Sequence, residues 1–427
     1  MTRDERLAHG LTAASVVAVY VAAGAEPGHR VTPYLMAHAL LLAGAAAACG
    51  AVTREPAALG RVLWAGLAVR CALIPVAPFT TTDVGRYLWD GAVLLAGEDP
   101  YALTPVALEL VRLRGSVPLP TDHLDVATCY PPMALAVFAL AALAGARAML
   151  AWKVLCAVAS AISAGVITRL AASRGGSSLA PLTLLGPVAV LEAGVGAHLE
   201  TFVALAAVLM IDAALRERWD RAAVAGGVIV ALKLVPGIVV LPLVSRAPRP
   251  VRFALVATLP FTISFGLAEL AGLTAPGSLP TVATHWSFGS PVWTALYERF
   301  PTNDDVIRPA LAVIGALGVV GVALRRRELV RDTVTAAGVS LAVSPVIYPW
   351  YGAIVATLLP LAPRRWALAA LALMPCTYEV LDDFQAHQRW TPARWPLVLL
   401  MAATLLGLVA DWKCDRKDCS KSGKQIR

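Results

Sequence analysis

The chain has 427 residues, of which 58% are hydrophobic and only 15% are charged, and its formal net charge is +8. An ordinary soluble domain carries about 25% charged residues, so this composition excludes one. The Lys and Arg residues lie in short loops and in the C-terminal segment, which is typical of the cytoplasmic loops of membrane proteins. The positive charge is therefore not interpreted as a nucleic-acid footprint, and no nucleic-acid partner is expected.

Apolar runs recur along the whole chain, beginning with residues 11–25 and 34–52 and ending with residues 396–411. Repeated runs of this kind predict helices, because a helix closes its backbone hydrogen bonds within lipid. We predict an all-α polytopic membrane protein with roughly 12 to 14 transmembrane helices. Residues 1–412 are expected to form a single membrane domain, and residues 413–427 a basic cytoplasmic tail.

Basic segments fix the predicted orientation. Residues 325–331 and 363–365 are rich in arginine and are expected to face the cytoplasm. The long polar segment 80–132 then becomes the first large external loop, and the chain is expected to cross the membrane many times.

This loop contains charged residues at helical spacing. Asp83, Arg86 and Asp90 stand at positions i, i+3 and i+7, which lie on one face of a helix. The other face is apolar, so we predict an amphipathic helix at the membrane interface that ends near Gly97, followed by a second amphipathic stretch at residues 105–115. The plain alternative is a solvated helix whose carboxylates only pair with Arg86.

The middle of the chain does not fit a simple alternation of spans. Lys233 and Pro236 interrupt the apolar segment 222–244, which favours two half-helices that return to the same face. Residues 197–200 would then face outward, beside the first loop. A strict alternation of about fourteen spans would place them inside, and the distribution of basic residues favours the outward placement.

Three short motifs occur in order around the first loop: DVGRYLWDG at 83–91, GEDPY at 97–101 and YPP at 130–132. Two more follow, HWSFGSPVW at 285–293 and YPWYG at 348–352. Together they resemble the membrane glycosyltransferases of the GT-C fold, especially the bacterial polyprenyl-phosphate-mannose-dependent alpha-mannosyltransferases.

The resemblance implies a GT-C-like helix bundle in the bacterial plasma membrane, with loop 80–132 as the catalytic loop and the active site on the extracytoplasmic side. The expected reaction moves a sugar, mannose by this resemblance, from a polyprenyl-phosphate donor to a glycan or lipoglycan acceptor. Inversion at the anomeric carbon is expected. Carriers of arabinofuranose or glucose use the same lipid phosphate and remain alternative donors.

Asp83 is the predicted catalytic base, because a sugar hydroxyl is a poor nucleophile until a carboxylate accepts its proton. Arg86 is the first candidate to neutralise the donor phosphate. The full set of residues predicted to bind the donor phosphate or sugar is Arg86, Asp90, Tyr101, His198, Glu200, Lys233 and His285.

A metal ion is left open. In related members of the fold, an acidic motif in the second external loop joins the first Asp, and His198 and Glu200 match that motif here. Asp83, His198 and Glu200 are therefore candidate ligands for Mg²⁺ or Mn²⁺. The alternatives are that His198 caps a helix end and that Lys233 extends toward the membrane surface.

The competing function is a polytopic transporter or a lipid flippase. Transporters gather their polar residues near the middle of the membrane, usually across repeated halves. The strongest polar cluster here lies instead in a predicted external loop, which favours an enzyme.

Overall fold

The computed structural model describes the backbone of residues 1–115 and 117–422, and the side chains of these residues as far as residue 415. The predicted basic tail begins inside a described helix. Its last residues, 423–427, and its side chains from residue 416 onward lie outside the described residues.

The described residues are predominantly helical. The α-helices are α1 (Arg3–Gly24), α2 (Val31–Arg54), α3 (Ala58–Leu73), α4 (Asp83–Leu95), α5 (Pro132–Ala142), α6 (Ala148–Ser173), α7 (Pro181–Leu184), α8 (Pro187–Leu191), α9 (Glu200–Leu215), α10 (Trp219–Leu232), α11 (Leu241–Val244), α12 (Pro250–Leu270), α13 (Leu279–His285), α14 (Pro291–Arg299), α15 (Asp304–Arg325), α16 (Leu329–Val343), α17 (Ala353–Leu358), α18 (Arg365–Leu373), α19 (Val380–His387) and α20 (Trp395–Ser422). Short 3-10 helices cover Leu108–Leu113, Gly145–Arg147, Ser177–Leu179, Val235–Val240, Pro349–Gly352 and Met374–Glu379, and a π-helix covers Glu192–Gly196.

Six helices of the described chain, α1, α2, α6, α12, α15 and α20, are long and apolar enough to cross a membrane. A pair of helical segments at 177–184 and 187–196, bent by 47°, makes a seventh if it forms one span. The chain is therefore an all-α polytopic membrane protein, as the sequence predicted. Its other helices are shorter or fail this test, so the count of roughly 12 to 14 spans stays a prediction.

Two hydrophobic cores hold the bundle together. Helices α1, α2 and α3 form the first, together with residues of the bent segment 184–195 and the ring of Trp350. The second core joins α4, α5 and α6 to the helices that follow residue 197. The bent segment packs against both, so it lies at the centre of the bundle rather than at its edge.

Helix α4 begins at Asp83 and ends at Leu95, close to the predicted bounds. Its predicted position at the membrane interface stays a prediction, and its apolar residues Val84 and Leu88 are buried against protein. The reason is a close approach to α5: a β-carbon at Gly91 would lie 2.5 Å from the Phe138 carbonyl carbon. Only glycine permits this close contact, so Gly91 allows α4 to pack directly against α5.

The segment 219–244 folds back on itself. Helix α10 ends at Leu232, the backbone of the next residue, Lys233, is extended, and the chain then runs back along α10. A β-carbon at Gly237 would lie 3.4 Å from Val230 Cα, and one at Gly226 would lie 3.1 Å from the Val240 side chain. Such contacts need antiparallel half-helices, so the predicted broken segment is a hairpin with Lys233 at its turn.

The two later motifs lie side by side. The Phe288 N–H donates to the Pro345 carbonyl at 3.0 Å, and the Ile347 N–H donates to the Phe288 carbonyl at 2.7 Å. This short backbone pairing brings the ring of Phe288 onto that of Tyr348, with centroids 4.7 Å apart. Segments 285–293 and 348–352 therefore form one wall of the same site.

Candidate functional site

A cavity of about 900 Å³ opens where α4, α9, the hairpin turn and the paired segments meet. Its charged lining comes from Arg30, Asp83, Arg86, Asp122, Glu200 and Lys233, with His123 beside them. Aromatic rings line another part, namely Tyr130, Trp286, Phe288, Tyr348, Trp350, Tyr351, Tyr378, Phe384 and Trp390. Aliphatic side chains, including Val203, Val235, Val239, Leu341 and Ile354, complete the wall. The cavity thus combines a charged end with an extended apolar surface, as small-molecule sites commonly do.

Asp83 lies at the charged end, in the first turn of α4. Its Oδ2 accepts a hydrogen bond from the Tyr87 hydroxyl at 3.2 Å and lies 3.5 Å from His198 Nδ1. Burial raises the pKa of the Asp83 carboxyl, but the contact with His198 and the nearby Lys233 charge outweigh burial and hold the pKa below its usual value. Because its pKa is low, the carboxyl group is ionised at neutral pH. Because its side chain is 33% exposed, a ligand in the cavity can reach it.

Arg86 also lines the cavity, and each of its three side-chain nitrogens already donates one hydrogen bond. Its Nε donates to Asp90 Oδ1 at 2.7 Å, and its two terminal nitrogens donate to the carbonyl oxygens of His123 at 3.2 Å and Val126 at 2.8 Å. Arg86 therefore fastens loop 121–126 to α4. Asp90 is 2% exposed and is outside the cavity lining, so it serves this attachment.

His198 lies between the cavity and the interior of the bundle. Its ring stacks on Trp350 with centroids 3.7 Å apart and an interplanar angle of 13°, and it is fully buried. Trp350 is itself only 5% exposed and stacks on Tyr348. The rings of His198 and Trp350 are therefore packed inside the protein.

Glu200 and Lys233 form an ion pair across the cavity floor. Glu200 begins α9 and is buried, whereas the Lys233 side chain, at the hairpin turn, is 24% exposed. The Lys233 ammonium also lies 4.1 Å from the centroid of the Tyr351 ring, which is a cation–π contact. Asp83, His198, Glu200 and Lys233 are thus brought together from three distant parts of the chain.

Besides Asp90 and the buried His198, two more predicted residues, Tyr101 and His285, do not line the cavity. Tyr101 is buried, and its hydroxyl donates to the Tyr130 carbonyl at 2.9 Å. His285 is exposed, with Nδ1 3.0 Å from the Thr281 carbonyl oxygen. The Tyr101 hydroxyl thus binds loop backbone, whereas the His285 contact lies within helix α13.

The candidate metal ligands do not fit a metal centre. No group of three or more His, Cys, Asp or Glu side chains in the part of the chain that the structure describes is arranged to hold a metal ion. The Glu200 carboxylate is paired with the Lys233 ammonium group instead, and His198 lies beside Asp83 and Glu192.

A buried acid behind His198 was missed by the sequence-based reasoning. Glu192, in the π-helix, is 2% exposed, and its Oε2 accepts a hydrogen bond from the Tyr378 hydroxyl at 2.7 Å. His38 Nε2 lies 3.6 Å from the other oxygen of Glu192. A lone acid inside the apolar run 179–197 was the available signal, because buried charges in membrane segments are costly and are usually functional.

A family model described as the N-terminal domain of alpha-(1->6)-mannopyranosyltransferases matches residues 16–248, which is more than half of the 427 residues. The chain belongs to this family. It is a membrane alpha-mannosyltransferase, and the transporter and flippase alternatives are set aside. No curated protein and no solved structure matches the chain.

The matched part of this mannosyltransferase carries the charged end of the cavity, including Asp83, Glu200 and Lys233, and also His198 behind Asp83. The aromatic wall from residues 286–390 lies beyond the matched part. The cavity therefore needs both halves of the chain to be complete.

Proposed function

We propose that this mannosyltransferase moves mannose from a polyprenyl-phosphate donor to a glycan or lipoglycan acceptor, with inversion at the anomeric carbon. The active site would face the extracytoplasmic side of the bacterial plasma membrane, within a single membrane domain of residues 1–412. The observation that carries this proposal is the ionised Asp83 beside Lys233, at the charged end of a cavity whose other walls are apolar and aromatic.

Asp83 would act as the general base. It accepts the proton of the acceptor hydroxyl while the acceptor oxygen bonds to the anomeric carbon and the bond from that carbon to the phosphate oxygen breaks. The polyprenyl phosphate leaves with the bonding electrons and needs no proton. A carboxylate whose pKa is held low is suited to this step, because it is ionised at neutral pH.

The neighbouring carboxylates support inversion over a double displacement. A retaining mechanism needs a second carboxylate free to attack the sugar. Glu200 is paired with Lys233, and Asp90 with Arg86, so Asp83 is the carboxylate of this group that remains available. A β-linked donor would then give the α-linked product of an alpha-mannosyltransferase.

Lys233 would neutralise the donor phosphate, in place of the predicted Arg86. The guanidinium of Arg86 is committed to Asp90 and two carbonyl oxygens, whereas the ammonium of Lys233 lies in the cavity with its side chain 24% exposed. A preorganised cation at the departing phosphate stabilises the charge that develops in the transition state. Glu200 holds this cation in position.

The remaining walls suit the two substrates. Aliphatic residues such as Val203, Val239 and Leu341 offer an apolar surface for the isoprenoid chain. The rings of Trp286 and Trp390 offer flat faces against which sugar rings can lie.

The test is a transfer assay on membranes containing the protein or a variant. Labelled polyprenyl-phosphate mannose, and the matching arabinofuranose and glucose carriers, are incubated with a mannoside acceptor. We expect transfer from the mannose carrier, and Asp83→Asn should lower the rate by about 10²- to 10⁴-fold.

The matched control is Asp125→Asn, an exposed carboxylate of the same loop that is outside the cavity lining, and it should transfer normally. Full activity of Asp83→Asn would remove Asp83 from the mechanism. A product whose new bond is cleaved by a β-mannosidase, rather than an α-mannosidase, would contradict inversion.

A further inference from the structure

We propose that Glu192 and His198 form a buried pair that positions Asp83 for proton transfer. The inference rests on the proposed role of Asp83 as the base. His198 would hold one oxygen of that carboxylate, and Glu192 would hold His198.

The geometry places His198 directly between two carboxylates. Its Nδ1 lies 3.5 Å from Asp83 Oδ2, and its Nε2 lies 3.7 Å from Glu192 Oε2. These are ion-pair distances, and all three groups are held away from bulk water except for the cavity side of Asp83. In a medium of low dielectric constant, charges at this separation interact strongly.

The ring of His198 has little freedom to turn. Trp350 stacks on one face at 3.7 Å. On another side the ring occupies the space of a missing side chain, because a β-carbon at Gly196 would lie 2.5 Å from its Nε2. The backbone is fixed as well, since the His198 N–H donates to the Glu192 carbonyl at 3.3 Å.

Glu192 is held just as firmly from the opposite side. The Tyr378 hydroxyl donates to Oε2 at 2.7 Å, and His38 Nε2 lies 3.6 Å from Oε1. Glu192 also belongs to the π-helix, a rare backbone form that is frequent at functional sites. A carboxylate anchored at this depth fixes which way the His198 nitrogens point.

The consequence for Asp83 concerns its two oxygens. Oδ2 receives the Tyr87 hydroxyl at 3.2 Å and faces His198. Among the described residues, no hydrogen bond reaches Oδ1. The pair therefore leaves Oδ1 to accept the proton of the acceptor hydroxyl. The carboxyl group is then neutral, and Oδ2, now its carbonyl oxygen, still faces the imidazole. Neither Glu192 nor His198 touches the reacting atoms.

The experiment compares Glu192→Gln, His198→Gln and the double variant in the transfer assay with polyprenyl-phosphate mannose and a mannoside acceptor. We expect Glu192→Gln to lower kcat by roughly 10-fold with both KM values nearly unchanged. His198→Gln should lower kcat further. Because Glu192 acts through His198, the double variant should be no slower than His198→Gln alone.

The control is Glu5→Gln, another fully buried glutamate, which pairs with Arg61 on the first helices, away from the cavity lining. Glu5→Gln should lower the melting temperature without changing kcat. His198→Gln should lower kcat by the same factor in the Glu5→Gln protein as in the wild type. If Glu192→Gln does not fold, Tyr378→Phe takes its place, because it removes only the hydroxyl that holds Glu192. It should lower kcat by a few fold.

The inference is overturned if Glu192→Gln, or Tyr378→Phe in its place, has the kcat of the wild type. It is also overturned if the losses from Glu192→Gln and His198→Gln multiply, since independent effects would mean that Glu192 only stabilises the fold. Asp83→Asn distinguishes failure of the proposed base from failure of the proposed pair. Full activity of Asp83→Asn would show that Asp83 is not the base. An inactive Asp83→Asn together with a fully active Glu192→Gln would leave Asp83 as the base and rule out only the positioning role of Glu192 and His198.

Discussion

Replacing Lys233 by Gln tests both of its proposed roles, as the ion-pair partner of Glu200 and as the cation at the donor phosphate. The substitution leaves the Glu200 carboxylate, which is 5% exposed, without its cation. Removing one partner of a buried ion pair costs about 3–5 kcal/mol, because the remaining charge is buried and uncompensated. The Lys233 side chain is 24% exposed, so solvent reduces this cost and we expect a smaller loss, about 2–3 kcal/mol of unfolding free energy.

The double variant Lys233→Gln with Glu200→Gln separates stability from activity. It has no unpaired charge, so its melting temperature should return toward that of the wild type. It still lacks the cation at the phosphate, so kcat should stay about 10²- to 10³-fold low, the usual loss for one stabilising donor.

Thermal melting in detergent and the labelled transfer assay measure these two quantities. A fully active double variant would refute the assignment of Lys233 to the phosphate. An unchanged melting temperature for Lys233→Gln alone would refute the account of the buried pair.

Three further results are expected. The pKa of Asp83 is held below the ordinary aspartate value of about 3.9, so the transfer rate should be flat through neutral pH and fall only in more acidic buffer. His198→Gln removes a group that lowers this pKa, so the rate of that variant should begin to fall at a higher pH. A pH–rate profile unaffected by that substitution would contradict the assignment. Arg86→Lys loses the fork that holds two carbonyl oxygens, so the KM values should rise with only a small change in kcat, and a kcat loss as large as that of Lys233→Gln would return Arg86 to the phosphate. A cysteine placed at the exposed Thr121 should react with an impermeant reagent added to intact cells, and protection there would reverse the proposed orientation.

The sequence was most informative where one local pattern determines the outcome. Helix α4 follows from the spacing of Asp83, Arg86 and Asp90, and the hairpin follows from Lys233 and Pro236 inside an apolar run. Each depends on residues only a few positions apart, so periodicity and helix-breaking residues suffice.

The sequence was least informative about which partner each charge takes. That Arg86 is committed to the carbonyl oxygens of loop 121–126 depends on how that loop folds over α4. The role of Glu192 depends on Tyr378, which is 186 positions away. Such contacts arise from packing of distant helices, and no local spacing encodes them.

The hairpin also joins the cavity to the opposite end of the bundle. Lys233 is at the turn, so both arms run away from the cavity, and the returning arm ends at Ser245. There the Ser245 hydroxyl donates to the Ala323 carbonyl at 2.9 Å, and the Arg326 side chain donates to the Ser245 carbonyl. The hairpin that carries the Lys233 ammonium group is thus anchored, at its other end, to the end of α15. The position of the Lys233 ammonium group therefore depends on contacts that Ser245 makes with the end of α15, far along the chain from the catalytic loop.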